Sequence, residues 1–187
     1  MWMYDVETLG IESNSVILSM ALVYFDLEKK PTYEDLIKDA FFVKLNAKDQ
    51  LQRLGRTVTK STLDWWEQQA QSVKDLSLNP SPNDVLAEDA LDQMKAYVDA
   101  RPEAKKAIVW ARGNLDQMVL GSLEDKLKRD NIFHFGRWRD VRTAVDLLTC
   151  STNGYCTIPD FNDIIVVKHN PIHDCAYDAM MLMYGRK

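Results

Sequence analysis

The sequence predicts a mixed α/β fold, a sheet with helices packed on it. Three observations lead there. The first 46 residues hold three apolar runs of strand length. After them the apolar positions recur at helical spacing. Short apolar runs then alternate with the helical stretches up to the C-terminus. With 187 residues the chain is long enough for one sizeable core, so residues 1–187 are expected to form one domain.

"MWMYDVETLG" opens as a short strand that ends in a Gly turn. "SVILSMALVYFDL" (15–27) is apolar on both alternating faces, which suggests the centre of a sheet. "KDAFFVKLN" (38–46) completes the strand run. "TVTKSTLDWWEQQA" is helical and carries Trp65 and Trp66, with Ser61 or Thr62 available as N-cap. Residues 77–84 hold two prolines and read as a loop, from which Ser81 or Asn83 would cap the long helical stretch "DVLAEDALDQMKAYVDA". "KAIVWARGN" (106–114) reads as a buried strand leaving through Gly113, and "LDQMVLGSLEDKLKRD" as a helix. "HFGRWRDVRTAVDLL" passes from a short strand into a helix capped by Asp140. "STNGYCTIPDFND" (151–163) is loop. "NPIHDCAYDAMMLMY" is the final helix, with Asn170 as N-cap and Pro171 at its first position.

Composition narrows the function classes. The 46% hydrophobic and 27% charged content is that of a soluble globular protein, with no apolar run of membrane-spanning length. The first ten residues lack the basic start of a secretory signal. Cys150, Cys156 and Cys175 show no CxxC spacing, so they read as reduced thiols in a cytoplasmic setting. The net charge of −5 sets a condition on any nucleic-acid partner: positive charge must come from local patches or from metal ions.

Asp5 and Glu7 lie two apart on the first strand, so both carboxylates leave the same face. Among 28 acids such pairs arise by chance, and Asp26–Glu28 is another; that pair runs into Lys29–Lys30 and reads as a solvated strand end. Asp5 and Glu7 instead emerge from Trp2, Met3 and Tyr4, where acids are costly unless a cation compensates them. Asp116 falls just past a buried strand at a helix N-terminus, where the macrodipole favours a carboxylate. For a lone Asp there, a plain helix cap or first-turn acid is the commoner case.

The C-terminal stretch "HNPIHDCAYD" offers two overlapping pairs, His169 with Asp174 and His173 with Asp178. Five residues turn a helix by roughly 500°, which leaves His173 and Asp178 about 140° apart. His169 enters before the helix and escapes that rotation, so helix phase favours His169 with Asp174. Asp178 lies one turn after Asp174 on nearly the same face.

Taken in order, Asp5, Glu7, Asp116, His169 and Asp174 resemble the DEDDh 3′–5′ exonucleases of the DnaQ-like, RNase H-like fold. "DVETLG", "GNLDQMVL" and "HNPIHDC" are similar to that group's three motifs. "STLDWWEQQA" and "RDVRT" are similar to segments of the subfamily that holds phage-type exonuclease A, the exonuclease VIII catalytic domain and a mycobacterial-type exoribonuclease. The resemblance spans residues 4 to about 180. Two departures are visible: Asp5 lies almost at the start of the chain, and His173 stands at a variable position of the third motif.

The resemblance implies an RNase H-like mixed sheet and hydrolysis of phosphodiester bonds from a single-stranded DNA, or RNA, 3′ end. It implies two divalent cations, Mg2+ or Mn2+, about 3.5–4 Å apart. Asp5, Glu7, Asp116 and Asp174 would hold them through oxygen, the donor such ions prefer. His169 would be the general base. The metals would bring the anionic substrate to an acidic chain. Thr8 and Leu9 are expected to line the terminal nucleotide's pocket. Trp65 and Trp66 point about 100° apart on a helix, so one should be core; Trp66 is assigned to stack on a base. Arg142, in an arginine run with Arg137, Arg139 and Trp138, is assigned to phosphate. DNA is favoured over RNA, and a homodimer is admitted. A non-catalytic nucleic-acid-binding module and a polymerase-bound proofreading subunit are the alternative readings.

Overall fold

The computed structural model describes residues 1–159, 161 and 166–185. Of the loop expected over 151–163, residues 160, 162 and 163 lie outside the described residues.

The sheet has five strands: β1 (Trp2–Thr8), β2 (Ile17–Tyr24), β3 (Phe41–Lys44), β4 (Val109–Ala111) and β5 (Trp138–Asp140), in the order β3-β2-β1-β4-β5. β1 is antiparallel to β2 and parallel to β4, so it is the seam between the two halves of a mixed sheet. β3 continues the antiparallel half and β5 the parallel one. The arrangement is consistent with the RNase H-like fold implied by the motifs. β2, expected at the centre from its two apolar faces, is an interior strand, and the centre itself is β1.

The parity of β1 organises both layers. Trp2, Tyr4 and Val6 face one side, where they pack with Ala90, Leu91 and Met94 of α5 (Ala87–Asp99) and Val119, Leu120 and Leu123 of α6 (Leu115–Leu127). The Trp2 indole also donates to the Ala104 carbonyl at 2.9 Å. Met3 faces the opposite side, into a cluster with Ala21, Val23 and the helices α1 (Tyr33–Lys38), α7 (Val141–Thr149) and α8 (Pro171–Tyr184). Asp5 and Glu7 share the parity of Met3 and therefore face the α8 side. Each large apolar side chain buried in these layers contributes roughly 1.5–3 kcal/mol.

α8 begins as its sequence predicts: the Asn170 side chain accepts the Ile172 N–H and Pro171 takes the first position. Small residues let it ride close to the sheet. Cys175, Ala176 and Ala179 are buried there, and the Cys175 thiol lies 3.4 Å from the Met3 carbonyl oxygen. That approach lowers the acids of α8 onto β1.

Several local expectations need correction. α1 and α2 (Ala47–Gln52) are helices of six residues each, too short to show a period in the sequence. Their signals are caps: Thr32 with Asp35 forms a capping box, and Asn46 accepts the Asp49 N–H. α3 (Lys60–Glu67) starts after Thr59, not at Ser61 or Thr62. α5 starts after Leu86, because Val85 is taken by a bridge to Leu45. A short helix α4 (Gln71–Val73) and a five-residue π-helix (Lys74–Leu78) occupy the approach to the proline loop.

Asp140 is as predicted the cap of α7, and it does more. Its carboxylate accepts the N–H groups of Arg142 and Thr143 and also that of Gly113, at 2.9 Å, across the mouth between β4 and β5. Gly113 sits at φ +90°, a conformation that favours glycine. Asp140→Ala should therefore lower unfolding free energy by about 2 kcal/mol, the upper end for a lost cap. Urea denaturation would measure it.

Candidate active site

Strand parity and helix phase bring the expected acids to one cleft. Asp5 and Glu7 come from β1, Asp116 from the first turn of α6, and Asp174 from the first turn of α8. Glu7, His169 and Asp174 offer ligand atoms that all lie within 4.8 Å of one another. Asp5 and Asp116 border that group electrostatically: Asp116 is the acid that acts most strongly on Asp5. Asp178, one turn further along α8, acts on Asp5, Asp116 and Asp174.

These carboxylates are hard to ionise. Burial, then Asp116, Glu7 and Asp174, push Asp5 well above the carboxylate range. Burial and the neighbouring acids Asp174 and Asp116 do the same to Glu7. Burial raises Asp116 to about 7, against the pull of the Arg112 backbone N–H. Burial and Asp178 raise Asp174 to about 7, although the His169 N–H donates to it at 3.0 Å. Four oxygen-donating acids that repel one another in a cleft are a donor set suited to hard divalent cations.

His169 is held in place by its own backbone. It takes φ +61°, its N–H is claimed by Asp174, and its carbonyl accepts from the buried Ser77 hydroxyl at 3.2 Å. Burial keeps its imidazole pKa below the usual value, so the ring is neutral at pH 7. Its Nδ1 stands 3.9 Å from Glu7 Oε1; with the imidazole neutral, this is a juxtaposition and not an ion pair. His173 turns the other way. Its Nδ1 meets the Tyr33 hydroxyl at 2.8 Å, which ties α8 to α1.

Of the two tryptophans, Trp66, the one assigned to stack on a base, is the buried one, though both line one cavity with Glu7 and Thr8. Trp66 is 1% exposed and its indole donates to the Thr8 carbonyl at 2.9 Å. Trp65 is 39% exposed and meets the His169 ring edge to face at 4.7 Å. A burial signal could not separate them in sequence, since the helix phase is set by what α3 packs against. Leu9, expected in the nucleotide pocket, packs in a small core cluster with Val16, Leu18 and Trp66. Thr8 is buried, with its hydroxyl donating to the Gly10 carbonyl. Thr8, Gly10, Ile11 and Thr62 line a cavity of about 320 Å³ with Glu7 and Trp65. A second cavity of about 650 Å³ borders His169 and Asp174, walled by Tyr155, Lys168 and Tyr177.

Of the arginine run, Arg137 donates to the Lys105 carbonyl and Arg139 to the carbonyls of Gly136 and Trp138. Arg142 is exposed and acts on Asp116 and Asp178 at longer range. The cation missed in the sequence is Arg112, which pairs with Asp178 at 2.5 Å. Its signal was an arginine closing an apolar strand in "VWARG".

The raised carboxylates set a sign. Between the ordinary carboxylate range and about pH 7 the folded chain holds protons that the unfolded chain has released. Stability of the metal-free protein should fall as pH rises through that window. Thermal unfolding in chelator should give a higher Tm at pH 5 than at pH 8, and added Mg2+ should restore the loss at pH 8.

The model of the 3′-5′ exoribonuclease Rv2179c-like domain matches residues 1–185 of this chain. An exodeoxyribonuclease of Enterobacteria phage T4 is 28% identical over an alignment that covers 97% of this chain and 86% of the phage protein.

Proposed function

This chain belongs to the 3′-5′ exoribonuclease Rv2179c-like domain family and is a 3′–5′ exonuclease; from that premise we propose that it acts on single-stranded DNA by a two-cation mechanism, releasing nucleoside 5′-monophosphates. The observation that carries the reading is the convergence of Glu7, His169 and Asp174 within 4.8 Å, bordered by the half-buried Asp5 and the buried Asp116. Residues 1–187 are read as one exonuclease domain, in a reducing, cytoplasmic setting. Among the described residues no helix is long and apolar enough to cross a membrane.

Asp5, Glu7, Asp116 and Asp174 hold Mg2+ or Mn2+ in this reading. The ions, when bound, neutralise charge at the scissile phosphate and at the leaving oxygen. His169, neutral at pH 7, takes a proton from the attacking water. The water oxygen bonds to phosphorus, the P–O3′ bond breaks, and the 3′ oxygen leaves with a proton from solvent. The terminal nucleotide occupies the cavity beside Glu7 and Thr8, with Trp65 as the stacking surface. Arg142 contacts phosphate.

DNA is favoured by the likeness to the phage exodeoxyribonuclease. RNA is favoured by the family's description. Digestion of 3′- and 5′-labelled single-stranded DNA and RNA, with Mg2+ and with chelator, decides between them. Mononucleotides released from the 3′ end of DNA in Mg2+ are expected; RNA cleaved faster than DNA would move the assignment, and no cleavage in metal would sink it. His169→Ala should lower kcat by roughly 10²–10⁴-fold with the fold intact by circular dichroism. Trp65→Ala should raise KM by roughly tenfold, the lower range for a lost base stack, while Trp66→Ala should act on stability, costing about 3–5 kcal/mol.

A further inference from the structure

Arg112 is the last residue before the Gly113 turn, at the end of β4. Its side chain is 15% exposed and engaged on three sides. Nε donates to both Asp178 oxygens at 3.0 and 3.2 Å, and Nη2 to Asp178 Oδ1 at 2.5 Å. Nη1 donates to the Gly154 carbonyl at 3.0 Å. The guanidinium lies over the Tyr155 ring, 4.3 Å from its centroid. Gly154 is itself confined: its N–H goes to Asp146, and a Cβ there would come within 2.7 Å of the Arg142 side chain.

Asp178 thus differs from the other acids of the cleft. It is buried, one helical turn from Asp174, and fully claimed by a guanidinium. Removing one partner of such a pair leaves an uncompensated charge, which is far more disruptive than removing both.

We propose that Arg112 is a positioning residue of the exonuclease site: it withholds Asp178 from the cation-holding acids, and it fixes Gly154–Tyr155 as the wall of the cavity beside His169 and Asp174. The inference rests on the proposed two-cation reading. Without Arg112, Asp178 becomes a fifth free carboxylate beside Asp174, and cations redistribute among five acids in place of four. The loop contact is a separate function, since it uses Nη1 and the guanidinium face.

The two functions separate in a variant series: Arg112→Met, Asp178→Asn and the double variant. Each would be measured for Mn2+ binding by calorimetry on metal-free protein, and for kcat and KM on a single-stranded oligonucleotide. Arg112→Met should change the Mn2+ isotherm, by an added site or a shift in affinity of at least fivefold, and should lower kcat at least tenfold. The double variant should return the isotherm to within twofold of wild type and regain most of kcat. Its KM should stay at least threefold raised, because the Gly154–Tyr155 contact is still missing. A wild-type isotherm and unchanged kcat and KM in Arg112→Met would overturn the proposal. So would a double variant no better than the single one. If Arg112→Met fails to fold, Arg112→Lys keeps the charge and loses the fork; a wild-type isotherm with a raised KM supports the proposal, and an unchanged KM overturns it. The isotherms stand without turnover, so an inactive wild type that still shows the predicted isotherms would indict the functional reading and not the role of Arg112.

Discussion

Mutual repulsion among clustered, largely desolvated carboxylates is the constraint on which the rest of this structure depends. Asp5, Glu7, Asp116, Asp174 and Asp178 come from three elements and influence one another across one cleft. Only Asp178 has a guanidinium to itself. The remaining charge is relieved in part by protonation and in part by backbone N–H groups, and bound divalent cations would relieve it most effectively. In the proposed reading, a chain of net charge −5 works on a polyanion because its acids would collect cations at the point of reaction.

Holding such a cluster requires scaffolding that does not yield. β1 is paired on both sides along the sheet and covered on both faces, so Asp5 and Glu7 project from its most constrained strand. The small residues of α8 bring its acids close to that strand. Asp140 ties the α7 cap to the Gly113 turn that leads into α6 and Asp116. Ser77 and Asp174 between them hold both backbone polar groups of His169, which keeps the ring aimed at Glu7 despite a left-handed backbone. Each contact is modest, about 1 kcal/mol for a typical hydrogen bond, but together they leave the cleft one arrangement.

The two cavities that border the Glu7–His169–Asp174 group share that frame. One is closed by the α3 tryptophans, the other by Tyr155 and Tyr177. Trp66 anchors α3 to the end of β1 through Thr8, and that anchoring turns Trp65 outward beside His169. The exposed indole is therefore placed by its buried neighbour.

The candidate set Asp5, Glu7, Asp116, His169 and Asp174 was read from the sequence by its resemblance to the exonuclease motifs, and local rules supported its members. Strand alternation paired the first two, a helix start marked the third, and helix phase separated His169–Asp174 from His173–Asp178. The long strands and the caps at Asn170 and Asp140 were legible for the same reason, since periodicity and capping are properties of neighbours in the chain. Short helices such as α1 lacked enough turns to show a period. Which tryptophan is buried, where Leu9 packs, and that Arg112 meets Asp178 were decided only by the tertiary structure. Those contacts join residues 58, 7 or more, and 66 positions apart, and no local pattern encodes which distant face an element will meet.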